Sequence, residues 1–228
     1  MKLMDQNIFL CRPDNIKSCS ACCGLFNFKD ISEKNLSEYL AKGHERNKSF
    51  QSGKSAEDFK NHQLDGVREI SSHICPYQGF VADSQPGCLI HPELNNGSDN
   101  RNLSLFGSVI CSAFLCPAHE ILSDDMKDLL ITSVNSWYAY TIAVIDPEFF
   151  IWACGILSKV FNIEKSSEVF KATIESVLML HAETLRLADY PVFFYSISEY
   201  RNFLNGDNKQ EFDLEKESII DELDEILN

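Results

Sequence analysis

The stretch Cys19-Ser20-Ala21-Cys22-Cys23-Gly24 constrains this chain more than any other, because three thiols fall within five residues and two of them are adjacent. Packing alone does not ask for that. A buried free cysteine behaves as a small apolar side chain that Ala or Val can replace at little cost, so a dense cluster points to metal or redox chemistry. Two cysteines separated by two residues, as Cys19 and Cys22 are, can turn both sulfurs towards one centre. The neighbours Cys22 and Cys23 project in different directions from a regular backbone. The pair therefore favours two nearby metals or a polynuclear cluster, or one ligand beside a structural or redox-active thiol. Gly24 would let backbone amides approach a sulfur or a metal closely.

The rest of the chain supplies further thiols. Cys11 lies upstream, Cys75-Pro76 and Cys88 form a second group, and Cys111 and Cys116-Pro117 a third. Eight of the nine cysteines are thus candidate metal ligands: Cys11, Cys19, Cys22, Cys23, Cys75, Cys88, Cys111 and Cys116. The ninth, Cys154, follows Phe149-Phe150-Ile151-Trp152-Ala153 and reads as plain core. Structural zinc takes four thiolate or imidazole ligands, and iron–sulfur clusters take cysteine on each iron. The excess over four ligands and the adjacent pair tip the reading to an iron–sulfur cluster in preference to Zn2+. His91 and His119 each follow a cluster cysteine by three residues. They read as surface or hydrogen-bonding histidines, with substitute ligation or donation to a thiolate as the alternatives. His181, on an apolar helix face, reads as a satisfied core histidine.

At 228 residues the chain is long enough to bury a real core, so the cysteines are not there to rescue a fold too small to stand alone. A formal charge of −14 argues against nucleic acid or an anionic membrane as a main partner. The first residues contain no signal-peptide core, and the best candidate for a spanning helix, Ile142 to Leu157, is interrupted by Asp146, Pro147 and Glu148. A cytoplasmic, reducing location is expected, where clustered cysteines are metal ligands before they are disulfides. No Gly-rich phosphate loop, Gly-x-Ser-x-Gly or Rossmann fingerprint is present.

The expected fold is mainly α, with an irregular cysteine-rich metal-binding region containing a small β-hairpin. The region spans residues 1–119 and a helical domain follows over 120–228. Ser32 caps a helix that Gly43 stops. Residues His44 to Leu64 read as an exposed loop with a short helix around Ala56 to Phe59. Gly79 to Ala82 and Cys88 to His91 read as two strands around a turn at Asp83-Ser84-Gln85-Pro86-Gly87. Ser123-Asp124-Asp125 opens a long helix to about Val144, and Asp146-Pro147-Glu148 opens the next, to about Phe161. Ser166-Ser167-Glu168 starts a third, to about Ala188, ended by Tyr190-Pro191. A short helix near Ser198 to Leu204 and an acidic amphipathic helix from Phe212 to Leu227 finish the chain. That last helix is expected to dock on the body or on a protein partner.

The order of cysteines resembles the YkgJ-type cysteine-cluster family, which is regarded as zinc- or iron-chelating. Cys19, Cys22 and Cys23 match its central knuckle, Cys75-Pro76 its Cys-Pro, and Cys88-Leu89-Ile90-His91-Pro92 its hairpin cysteine. Cys111, Phe114 and Cys116 match the closing Cys-x-x-Phe-x-Cys. Cys11 stands for the first cysteine at a longer separation, and Gly107-Ser108 and Ser112 replace the family's Arg-Pro and Arg. The resemblance covers Cys11 to Cys116 and implies a metal-chelating region there. A related domain in flagellin lysine N-methylases implies, by analogy, a methylation or cluster-dependent role. Three functions follow as expectations: a metal-binding protein, a cluster-dependent enzyme with a methyltransferase-like or redox activity and a pocket between the halves, and a metal carrier.

Overall fold

The computed structural model describes residues 8–51, 66–68, 73–187, 197 and 216–225. These are mainly helical, with one two-stranded antiparallel sheet among them. Helix α1 (Glu33–Ala41) begins where Ser32 accepts a hydrogen bond from the Asn35 amide, and it buries Leu36 and Leu40. Helix α2 (Gly43–Gln51) follows almost directly. Residues 44–51, expected in a loop because the segment is polar and has no apolar stripe, are thus helical. What holds them is contact rather than pattern. A Cβ on Gly43 would stand 2.5 Å from the Gly79 Cα, so the start of α2 lies directly on the sheet, and Arg46 is buried beneath it. The short helix expected at Ala56 to Phe59 falls outside the described residues.

Strands β1 (Gln78–Ala82) and β2 (Gln85–Cys88) pair with Gln78 opposite Cys88, Gly79 opposite Gly87 and Phe80 opposite Pro86, with an irregularity between Phe80 and Ala82. The turn is only Asp83-Ser84, with Ser84 in the left-handed region at φ 58°. Residues Gln85, Pro86 and Gly87, expected in the turn, belong to the strand. Their turn-like composition is overridden by tertiary bonds: the Gln85 amide donates to the carbonyls of Asp14 (2.9 Å) and Lys17 (3.1 Å), and the Ser18 hydroxyl donates to the Pro86 carbonyl. Two single 3-10 turns, Pro92–Leu94 and Arg101–Leu103, carry the loop that follows.

The second half contains α3 (Gly107–Ala113), α4 (Ala118–Ile121), α5 (Asp124–Ser133), α6 (Trp137–Ile145), α7 (Pro147–Lys159) and α8 (Glu168–Leu187). The single long helix expected from Ser123 to Val144 is instead two. Val134 is extended, and the Ser136 hydroxyl accepts from the Tyr138 and Ala139 amides to start a new helix. The Asn135 amide, freed at the break, donates to Glu175 of α8. The redirection lets α6 bury all nine of its residues, which accounts for its being apolar all round. Helices α7 and α8 run close to their expected bounds.

One main core joins both ends of the chain. Leu10, Leu25, Phe26, Ile31, Leu36 and Leu40 pack with α5 to α8. Two tyrosines of α6 fasten the irregular half: Tyr138 donates to the Ile31 carbonyl and Tyr140 to the Leu10 carbonyl, each at 2.8 Å. His181 is fully buried, 3.0 Å from the Asp146 carboxylate and stacked on Phe149. It is a satisfied core histidine, and Cys154 is buried in the same core. Residues 216–225 are helical; Ile219 and Leu223 enter the core while Asp221, Glu222, Asp224 and Glu225 face out. The expected helix near Ser198 to Leu204 lies outside the described residues. Among the described residues no single helix is long and apolar enough to cross a membrane, and α6 and α7 are bent by 107° at their junction.

Candidate metal centre

The knuckle is built on a loop with few regular bonds and many specific ones. Between Cys11 and Cys19 the Asp14 carboxylate accepts the amides of Ile16 (2.7 Å) and Lys17 (2.6 Å) and pairs with the Lys17 ammonium at 2.8 Å. The Cys19 amide then donates to the Cys11 carbonyl at 3.0 Å, bringing those two cysteines together. Gly24 follows Cys23 at φ 82°, where a Cβ would stand 1.8 Å from the His73 carbonyl oxygen. Only glycine fits that position. The close approach sets the knuckle against Cys75, just ahead of the hairpin: the Cys75 amide donates to the Cys23 carbonyl at 2.8 Å. Gln78 of β1 donates to the same carbonyl at 3.1 Å and faces Cys88 across the sheet.

Two residues outside any motif hold this arrangement from behind. Arg46 donates to the carbonyls of Pro76 (3.1 Å), Tyr39 (2.7 Å) and Gln78 (2.7 Å), and its guanidinium lies 3.6 Å over the Tyr39 ring. The Tyr39 hydroxyl donates to the Cys75 carbonyl at 3.3 Å. Sequence reasoning missed Arg46, Gln78 and Asn27, whose amide donates to the His73 carbonyl. No local signal marks them, since each acts through a backbone carbonyl far away in sequence.

Seven of the eight candidate ligands, Cys11, Cys19, Cys22, Cys23, Cys75, Cys88 and Cys111, line one cavity of about 460 Å3. The eighth, Cys116, packs with Cys19 against the main core. Its Sγ lies 3.6 Å from His119 Nδ1, while the Leu10 amide donates to His119 Nε2 at 3.1 Å. Nε2 therefore accepts, Nδ1 carries the proton, and His119 offers an N–H to the Cys116 sulfur. That role is the alternative to a surface one among the expectations for His119. His91 lines the cavity too, but its Nδ1 accepts the Glu93 amide at the start of a 3-10 turn. Cys111, on exposed α3, has Ser104 Oγ 3.4 Å from its sulfur, and Arg101 donates to its carbonyl at 3.5 Å. Arg12, paired with Glu93, also lines the opening.

Burial dominates the electrostatics. It pushes the Cys11 and Cys75 thiols up to about 12 and those of Cys88 and Cys116 up to about 11, and neighbouring thiolates add to the rise. Burial also raises Cys19 well above its ordinary value, while the hydrogen bond between the Cys22 and Cys23 thiols raises Cys23 and lowers Cys22. Thiols gathered this closely cannot all be ionised without a cation among them. A thiophilic metal would supply that charge and take the thiols as thiolates, releasing their protons. The donor set fits such a group in kind and number, and the cavity gives it room. Among the described residues no three His, Cys, Asp or Glu side chains already form a group that could hold a metal ion as they stand. All nine cysteines are free.

No family model, no curated protein and no solved structure matches this chain.

Proposed function

We propose that this chain is a metal-binding protein that holds iron–sulfur, in preference to zinc, through Cys11, Cys19, Cys22, Cys23, Cys75, Cys88, Cys111 and Cys116. The observation that carries the reading is the convergence of seven of these thiols, from four separate stretches of chain, on one cavity. Scattered core cysteines would not gather in this way. The YkgJ-type resemblance of the cysteine order points in the same direction. Free thiols fit a reducing compartment, and we place the protein in the cytoplasm. The exposed acids of residues 216–225 leave that helix available to a protein partner while its apolar side is docked. Purification without oxygen, followed by analysis for iron, zinc and acid-labile sulfide, tests the reading. Tightly held iron with sulfide and a brown colour is expected; zinc without colour would favour the other metal. A metal-free chain whose cluster thiols all titrate freely would end the proposal.

A second reading makes the centre part of an enzyme, of redox or methyl-transferring type. It draws on the apolar part of the cavity wall, Val81, Ile90, Phe106, Ile110 and Phe114, with Arg12 and Arg101 beside it. Walls of that kind suit an organic substrate with an anionic group.

A further inference from the structure

We propose that the eight cysteines form two separate four-thiolate centres, a core-side one of Cys11, Cys19, Cys22 and Cys116 and a hairpin-side one of Cys23, Cys75, Cys88 and Cys111, and that the hairpin-side centre is the exchangeable one. The proposal rests on the metal-binding reading above and assigns its ligands. The division is drawn between the adjacent cysteines Cys22 and Cys23, whose thiols hydrogen-bond each other where the two groups meet. On either side of it the remaining cysteines sort by what they pack on. Cys19 and Cys116 lie against the main core. Cys23, Cys75 and Cys88 instead share a small apolar cluster of their own with Tyr77 and Ile90.

The backbone repeats that division. On the core side, the Cys19 amide bonds the Cys11 carbonyl, and His119 ties the amide of Leu10, next to Cys11, to the sulfur of Cys116. On the hairpin side, the Cys23 carbonyl takes bonds from the Cys75 amide and from Gln78, the residue paired with Cys88. Arg101 donates to the Cys111 carbonyl, and the amide of its neighbour Asn100 bonds the carbonyl of Ile90 in the hairpin-side cluster, which joins Cys111 to this side. Cys22 falls to the core side as the second cysteine of Cys19-x-x-Cys22, a spacing that turns both sulfurs towards one centre.

The two centres are anchored unequally. Leu10 is fully buried, and both its amide and its carbonyl are bonded, to His119 and Tyr140, which fixes Cys11 to the core. Cys111 rides on α3, a seven-residue helix with no buried residue, where Val109 is 78% exposed. Lifting that helix costs little apolar contact, so a centre that depends on Cys111 opens locally without unfolding the core. An exchangeable centre beside a fixed one is the arrangement expected of a protein that passes metal on.

The test uses the full chain purified without oxygen and challenged with excess EDTA and, for iron, with the ferrous chelator bathophenanthroline. The wild type should lose metal in two phases of equal size, the fast one at least about tenfold quicker. Cys111→Ser, which disturbs no core contact, should carry half the metal and show only the slow phase. Cys116→Ser should carry the other half and only the fast phase, and circular dichroism of the helices checks that it still folds. Single-phase release in the wild type, or complete metal loss in Cys111→Ser, would mean one shared centre and overturn the division while leaving the metal-binding reading intact. Loss of the slow phase in Cys111→Ser would reverse the assignment of the labile side and overturn that part. A wild type without metal overturns both readings.

Discussion

At the scale of single residues, the knuckle depends on one backbone angle and one carboxylate. Gly24 combines φ 82° with a missing Cβ that would collide with the His73 carbonyl. Gly24→Ala therefore faces a left-handed penalty of about 1–2 kcal/mol before the collision is counted. We expect a lowered melting temperature together with faster alkylation of Cys23 and Cys75. Asp14 acts before the first of the clustered thiols. Partial burial pushes its carboxyl up, but hydrogen bonds from the Lys17 side chain and from the Lys17 and Ile16 amides, with the Lys17 charge, outweigh that and hold it below the usual range. A depressed carboxylate stabilises the fold above its ordinary value and loses that contribution as pH falls through the folded value. Asp14→Asn should accordingly be less stable than the wild type at neutral pH, and the gap should close below about pH 4. Parallel melting curves from pH 3 to pH 7 read this directly; a gap that stays constant would show that the charge of Asp14 does not matter.

At the scale of elements, α1, α7 and α8 could be read in the sequence because each opens on an uncomplicated N-terminal signal, Ser32, Asp146-Pro147 and Ser166-Ser167. The cysteines could be read too, since packing gives no reason to crowd thiols that Ala or Val could replace. What could not be read is whatever works through distant carbonyls. Helix α2 has no apolar face to announce it, and β2 is made of residues that usually turn. The break at Val134 is set by Ser136 and by Glu175 arriving from α8. Arg46 makes the point testable. Its guanidinium serves three carbonyls, two of them buried, at Pro76 and at Gln78, the first residue of β1. Arg46→Leu strands those carbonyls, at about 1–3 kcal/mol for each left without a partner. Arg46→Lys should rescue only part, because a single ammonium does not reproduce the planar fork. Urea titrations of the two variants should rank wild type, Lys and Leu in that order; equal midpoints would relegate Arg46 to decoration. Ser136→Ala removes the cap that restarts the chain at α6 and should cost about 1 kcal/mol by the same measurement.

At the scale of the whole molecule, the cysteine-rich stretch and the helices share one core, and the tyrosines of α6 are the fasteners. Tyr140→Phe keeps the ring and loses the bond to the Leu10 carbonyl, for about 1–3 kcal/mol. If the core-side thiols depend on that tie, Cys11 should react faster with a soluble alkylating reagent in this variant while Cys111 reacts at its former rate. Equal acceleration of both would point to general loosening instead. The shared core also bears on how the protein is made. Leu10, Ile31 and Leu36 precede or closely follow the first thiols, yet the side chains that enclose them, on α6, α7 and α8, are among the later parts of the chain to be synthesised. At about 5–20 residues per second, the cysteines up to Cys116 wait several seconds after emerging from the ribosome before α8 exists. The residues that wall the thiols, from Cys11 to Phe114, are all made by then, but the core that Leu10 and Ile31 anchor in is not. Firm seating of the thiols against the core is thus a late event in the protein's birth, and oxidants or stray copper meet loosely held sulfurs first.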